Sequence, residues 1–253
     1  ETADTWSLGA DLQPEAIKGL RLSATYFNVK FKDAIGLAPV LTPQIYSDPN
    51  FASYFILNPT LQQALAAAGS LRIDGVPSLP ALYAFSSPYV LFDARRNNLG
   101  AIHTDGIDFE AEYQYRADFG MLSAKVSGTY TLNRKTQAVQ GGAFSNDLKN
   151  GTGRLALVAS LGAQMGEVTG RVSWNHRDSY PILGVPSQTR IGAFNTVDLF
   201  AAYDLSALAE GVSVTFNVEN LFDKDPPYFN AVPGYTNGST LGRMVSVGLR
   251  TSF

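Results

Sequence analysis

"GVSVTFNVENLFDKDPPYF", residues 211–229, sets out a whole unit of architecture in one line. Val212, Val214, Phe216 and Val218 alternate with Ser213, Thr215, Asn217 and Glu219, the period of a strand with one apolar and one polar face. The alternation ends at Asn220, and Pro226 and Pro227 then bar any continued ladder. A short turn before the strand and a long proline-bearing loop after it are the pattern to seek elsewhere.

The pattern recurs, for nine strands in all. Trp6 to Leu12 alternates with Ser7, Gly9 and Asp11, and Leu20, Leu22 and Ala24 open a second strand whose phase shifts near Tyr26–Phe27, as at a bulge. Ile107 to Tyr115, Leu122 to Tyr130, Leu155 to Leu161, Val168 to Trp174 and Val197 to Tyr203 follow the same rule. The chain closes on "MVSVGLRTSF" (244–253), with Val245, Val247 and Leu249 on one side and Phe253 last. All 13 prolines fall between these strands.

The connections alternate in length. Residues 14–19, 117–120, 164–167 and 205–211 are short, whereas 33–102, 134–151, 181–192 and 223–240 are long. Tight turns on one rim and long loops on the other match outer-membrane barrels. A soluble sandwich has no reason to sort its loops this way.

Composition narrows the rest. Charged residues make up 16% of the 253, against roughly 25% in soluble proteins. A net charge of −3 without any basic run argues against nucleic-acid binding. No cysteine is present, so disulfides, thiolate metal sites and cysteine nucleophiles are excluded. No stretch approaches the roughly 18 apolar residues of a spanning helix.

The faces then separate a membrane barrel from a sandwich. Lys125, Arg154, Arg171, Arg250, Glu110, Glu112 and Glu219 all occupy polar positions; on the opposite face at mid-bilayer a charge costs about 2–4 kcal/mol. Trp6, Tyr130, Trp174, Tyr180 and Phe222 are expected toward the long-loop rim, and Tyr113, Tyr115, Tyr203 and Phe253 toward the turn rim, as two aromatic belts. Ala10, Ala24, Ala111, Ala159 and Ala201 fill mid-strand apolar positions where a sandwich core would favour bulk. With nine strands the first and last run the same way and cannot close a barrel, so the segment is expected to be partial, its missing part N-terminal.

Specific motifs add a resemblance. "FNVENLFDKDPPYF" (216–229) resembles the penultimate-strand signature of TonB-dependent outer-membrane receptors, and "LGRMVSVGLRTSF" (241–253) is similar to the same family's C-terminus. "GLRLSATYFNVKFKDAI" (19–35) and "GIDFEAEYQY" (106–115) resemble further strands of it. The resemblance implies an all-β fold, an antiparallel transmembrane β-barrel segment forming the C-terminal part of a 22-stranded barrel around a plug. Residues 1–253 would be that portion, with 33–102 a long extracellular loop and the plug and energy-coupling box absent. Thr251 departs mildly from the family's hydrophobic preference two positions before the end.

The same resemblance implies function: import of a bulky, scarce nutrient such as a ferric siderophore, cobalamin or an oligosaccharide, driven by the inner-membrane proton-motive force. A passive porin-type channel is the alternative. The implied partners are outer-membrane lipid and lipopolysaccharide, the TonB energy-coupling complex reached through the plug, and the barrel-assembly machinery, which would read Val247, Gly248, Leu249 and Phe253. The expected location is the bacterial outer membrane.

No enzyme is expected. His103-Thr104-Asp105 and His176-Arg177-Asp178 look catalytic in isolation, but no glycine loop, lysine or Asp-Phe-Gly accompanies the second. "GTGRLA" (151–156) opens a strand rather than a helix. No metal-ligand spacing and no cofactor motif is found. The long loop carries Tyr46, Phe51, Tyr54, Phe55, Tyr83, Phe85, Tyr89 and Phe92, then Arg95, Arg96, Asn97 and Asn98, with a short helix expected at 60–68. Tyr83, Phe85, Arg95, Arg96 and Asn98 are the candidate substrate contacts, through stacking and hydrogen bonds; the competing reading packs the aromatics on one another and pairs the arginines with nearby carboxylates.

Overall fold

The computed structural model describes residues 1–37, 49–207 and 211–251, and of residues 37, 50 and 97–99 only the backbone. Tyr46 and Phe253, singled out above, lie outside the described residues.

Among the described residues nine long strands form: β1 (Thr2–Leu12), β2 (Leu20–Leu37), β3 (Arg96–Ala117), β4 (Gly120–Gln137), β5 (Leu155–Met165), β6 (Val168–Arg177), β7 (Phe194–Asp204), β8 (Val212–Glu219) and β9 (Met244–Thr251). They are hydrogen-bonded in chain order from β1 to β9, as tight turns demand of antiparallel neighbours. Glycine makes two of these turns possible. Gly120 enters β4 with φ 148° and Gly19 precedes β2 with φ 89°, and at each an added Cβ would lie 2.0 Å from a backbone oxygen, of Gln164 and Gln114 respectively.

Three strands reach further than their alternation suggested: β2 runs to Leu37, β3 starts at Arg96 and β4 ends at Gln137. The extension of β4 is polar on both faces, as in Asn133, Arg134, Lys135, Thr136 and Gln137, and those of β2 and β3 mix glycine, apolar and polar residues on each side, so no clear period marks them. The stretch expected as one loop from 33 to 102 is therefore shorter at both ends. The phase of β2 also needs no bulge at Tyr26–Phe27. Tyr26 keeps the side of Leu20, Leu22 and Ala24 and meets Trp6 at 5.1 Å between ring centroids, while Phe27 turns to the polar side and covers Gly106.

The chain divides into two compact units. The larger comprises Thr5–Val29, His103–Lys135 and Asn146–Phe253. Its registers align Ala124, Leu161, Val172, Leu199, Val218 and Val245 in one row across β4 to β9. Lys125, Ser160, Ser173 and Asp198 form the adjacent row on the other face. Apart from Val218, which is buried, the apolar row is not a core. Leu161 is 68% exposed, and Val172, Val245, Val247 and Leu249 are exposed with it.

Only nine apolar residues are buried among those described, and most lie in loops rather than on the sheet. A sheet whose greasy face is left bare by its own chain suits hydrocarbon, not water. No helix among the described residues is long and apolar enough to cross a membrane, which says nothing of strands.

The smaller unit comprises Glu1–Asp4, Lys30–Ile102 and Thr136–Ser145. Phe55–Leu57 pairs with Val90–Phe92 as a short antiparallel ladder. The expected helix forms as α1 (Leu61–Ala68), capped by Thr60 and Gln63, each side chain bonding the other's backbone N–H. A second, α2 (Leu79–Phe85), starts where Ser78 accepts from the Ala81 N–H. Phe51 and Val139 are buried beneath Tyr54, Phe55 and Phe92. Loop aromatics thus pack on one another here, which orders a segment that could not fold as bare loop.

Candidate functional site

The polar face of the larger unit carries a trough of about 980 Å³. Three carboxylates line it, Asp108, Glu110 and Asp198, each engaged by a donor on a neighbouring strand. Lys125 Nζ lies 2.8 Å from Glu110 Oε2, Thr129 Oγ1 donates to Asp108 Oδ1 at 2.5 Å, and Asn175 Nδ2 donates to Asp198 Oδ2 at 2.7 Å. Further along the same face the Arg171 guanidinium sits 5.4 Å over the Phe200 ring, a cation–π contact. Two aromatic rings on this face, Phe200 and Phe194, are residues that strand reading passed over. The signal was there: Phe200 is apolar at a polar position of β7.

Beyond the end of β8, the Asn220-Leu221-Phe222-Asp223-Lys224 motif closes into a knot. Asn220 has φ 52° and is buried. Its backbone N–H donates to Asp198 Oδ1 at 2.8 Å, its side chain accepts from the Lys224 N–H at 2.9 Å and donates to the Lys224 carbonyl at 3.0 Å. Asp223, also left-handed at φ 52°, accepts from the Arg243 N–H at 2.8 Å. The motif therefore fastens the exit of β8 to β7 on one side and to the approach to β9 on the other.

The loops beyond β6 and β8 are fastened in turn. The Asn237 amide donates to the carbonyls of Asp178 and Gly192, each at 3.0 Å. Gln188 donates to the Tyr228 carbonyl at 2.8 Å and accepts from the Asn230 N–H at 2.7 Å. Between them Tyr180, Ile182 and Ile191 are buried against Val185 and Phe229, with Ile191 wholly covered. Tyr180 is thus no belt residue. It lies past the end of β6 in the short ladder Tyr180–Pro181 with Arg190–Ile191, and folding of that ladder carries its ring inward; Pro181 is tolerated there because the ladder is an edge.

The remaining belt positions, Trp6, Tyr130, Trp174, Tyr113, Tyr115, Tyr203 and Phe222, are exposed. The His176-Arg177-Asp178 run is split by the strand: the His176 ring lies 5.5 Å from Trp174 and bonds Asn195, and Arg177 pairs in register with Phe194 on the other face. No cluster of metal-ligating side chains occurs among the described residues.

The five loop candidates are not gathered into one place. Tyr83 donates its hydroxyl to the Pro59 carbonyl at 2.9 Å, and Phe85, at the end of the same helix, is 92% exposed. Arg95 bonds Asp93, whose carboxyl is held down to about 2 by the Arg95 side chain and then by its backbone N–H. Arg95 also borders a cleft of about 440 Å³ with Leu71, Leu79 and Phe92; Tyr83, Phe85 and Arg96 do not. Arg96 opens β3, and the Asn98 side chain lies outside the described residues. At the other end of the chain Val247 and Leu249 are exposed and Gly248 pairs with Thr215 in β9.

A family profile described as TonB dependent receptor-like, beta-barrel matches residues 1–221. No curated protein matches the chain. Among solved structures, the FrpB iron transporter from Neisseria meningitidis (F3-3 variant) superposes with TM-score 0.56 at 16% identity, covering 99% of this chain and 31% of that one. The siderophore receptor PirA from Acinetobacter baumannii gives 0.57 at 14%, covering 99% and 32%. A G324V mutant of the ferric enterobactin receptor PfeA from Pseudomonas aeruginosa gives 0.54 at 15%, covering 99% and 31%. At these identities the likeness is one of fold, and the chain spans about a third of the length of the structures it matches.

Proposed function

This chain belongs to the TonB-dependent receptor-like β-barrel family of the outer membrane, and from that premise we propose that it forms part of the wall of an energised importer. The cargo is a bulky nutrient too scarce for passive entry. The observation that supports the reading most strongly is the distribution of the two faces. Exposed Leu161, Val172, Val245 and Val247 suit lipid, while Glu110–Lys125, Asp108–Thr129 and Asp198–Asn175 suit a wet interior.

The cargo to test first is a ferric chelate, since the structural relatives include an iron transporter and two siderophore receptors; cobalamin and oligosaccharides come next. Energy enters through the TonB complex acting on a plug. Ligand contact is assigned to the outer loops, where Phe85 is free to stack, Tyr83 ties the helix that carries it to Pro59, and Arg95 borders the adjoining cleft. Val247, Gly248 and Leu249, with Phe253, serve as the assembly signal.

The experiment is uptake of labelled ferric chelates by cells carrying or lacking the intact receptor, with and without a protonophore. Receptor-dependent uptake that stops when the proton gradient collapses supports the proposal. Uptake that continues unchanged means a passive channel.

A further inference from the structure

The apolar face of β3 to β7 is not flat. Ala124, Ala163 and Gly170 form the floor of a recess of about 610 Å³, and Tyr113, Tyr115, Leu161 and Val172 stand around it. It adjoins a second recess of about 410 Å³ bordered by Val126, Ala159 and Trp174, and the two share Tyr113, Ala124, Leu161 and Val172. Gly170 keeps the floor low: a Cβ built there meets no atom within 4 Å. The registers align Leu122, Ala163, Gly170 and Ala201 in one row and Val126, Ala159, Trp174 and Val197 two rows away, so the furrow runs along the strands.

We propose that this furrow seats one acyl chain of an outer-membrane phospholipid and retains it while the surrounding lipid exchanges. The occupant follows from where the furrow lies. It is continuous with the bare apolar band that includes Val245, Val247 and Leu249, which in the outer membrane meets hydrocarbon. A chain in the furrow is contacted from the floor and both sides, whereas one lying on the flat band is contacted from below only, so dispersion contacts favour the furrow. Smallness at the floor with bulk at the walls is also the wrong shape for a second copy of the same face, which would have to present a matching ridge.

The leaflet follows from the tyrosines. Tyr115 lies next to the short turn between β3 and β4, the periplasmic rim of such barrels, and neither Tyr113 nor Tyr115 has a hydrogen-bonded hydroxyl among the described residues. Their hydroxyls are left for the ester end of a chain that enters from that rim. The lipid is therefore a glycerophospholipid of the inner leaflet and not the lipid A of lipopolysaccharide.

The test uses the full-length receptor in detergent, stripped of lipid, reloaded with phosphatidylethanolamine or with lipid A, and weighed by native mass spectrometry. Wild type is expected to keep one phosphatidylethanolamine per chain. Gly170→Leu, whose Cβ meets no atom within 4 Å and whose side chain occupies the floor, is expected to show about tenfold lower occupancy, since the methylenes it displaces lose their close contacts with the floor and walls. Val245→Leu, on the same face outside the furrow, keeps the lipid. Retained lipid in Gly170→Leu, no adduct in wild type, preferential retention of lipid A, or a Gly170→Leu change in oligomeric state would each overturn the proposal. Resistance of each variant to unfolding on unheated gels establishes that the barrel is intact, and none of these readouts depends on what the receptor imports.

Discussion

Gly238 lies flat against the ring of Phe194, so close that a Cβ on the glycine would fall 2.6 Å from two ring carbons. Residues 223–243 are thereby drawn onto the polar face at the start of β7, beside the trough that Phe194 and Ser239 help to line. Gly238→Val forces the two apart and is expected to destabilise this attachment by about 1–3 kcal/mol, the usual cost of overpacking. Limited proteolysis should then cut residues 223–243 faster than in wild type while leaving the strands intact; an unchanged cleavage pattern would show that the contact holds nothing in place.

Asn237 is the companion fastening. Asn237→Ala removes two hydrogen bonds to carbonyls of the neighbouring loop, worth about 0.5–1.5 kcal/mol each. Faster hydrogen exchange is expected in residues 178–193, and not in β1 or β2, which are remote in the strand order. Exchange rising uniformly along the chain would point to global loosening instead.

Asn220 offers a test of backbone against side chain. Both Asn220→Ala and Asn220→Gly lose the two bonds to Lys224, but only alanine meets the left-handed φ of 52° with a Cβ. Alanine is therefore expected to be the less stable by about 1–2 kcal/mol. Denaturant unfolding of both variants in lipid vesicles measures the gap, and equal stabilities would mean that the left-handed turn is not under strain.

Charge placed on either face reports which side meets lipid. In a water-soluble protein an exposed surface substitution such as Leu161→Arg would shift stability by only about 0.5 kcal/mol. In the middle of β5, facing hydrocarbon, it should cost about 2–4 kcal/mol, whereas Ser127→Arg on the polar face should assemble nearly as well as wild type. The yield of folded barrel on unheated gels distinguishes them.

Acid should loosen one loop contact and do so late. The Asp93 carboxyl is depressed to about 2 in the folded chain by Arg95, against about 3.9 when unfolded. A depressed carboxyl contributes stability that is complete above the unfolded value and is lost as pH falls through the folded one. The Asp93–Arg95 contact should thus persist at pH 5 and fade between about pH 4 and 2, read as accelerated exchange of the Asp93 amide, which donates to the Tyr54 carbonyl. Arg95→Gln should move that loss to higher pH.

The strands were open to reading from residue order alone, because a sheet between lipid and water must alternate and a charge on the wrong face is costly. The extension of β4 was hidden by the same logic, since residues polar on both faces have no period to show, while those of β2 and β3 carry too few alternating residues to set one. Tyr180 was misplaced because belts were read from strand ends, and its ring follows the small ladder beyond the end of β6 instead. The candidate loop residues were found by composition, which detects aromatic content but not that Tyr83 is spent on Pro59 while Phe85 stands clear.

Residue order by itself determined the nine strands, their facing and the sorting of turns from loops, since each is a consequence of local period and of proline and glycine stereochemistry. That Asn220 answers Asp198, that Asn237 spans two loops and that Gly170 floors a furrow emerges only in the folded chain. Those relationships join residues far apart in the chain through hydrogen bonds and close contacts, and no local pattern of side chains carries the distance between them.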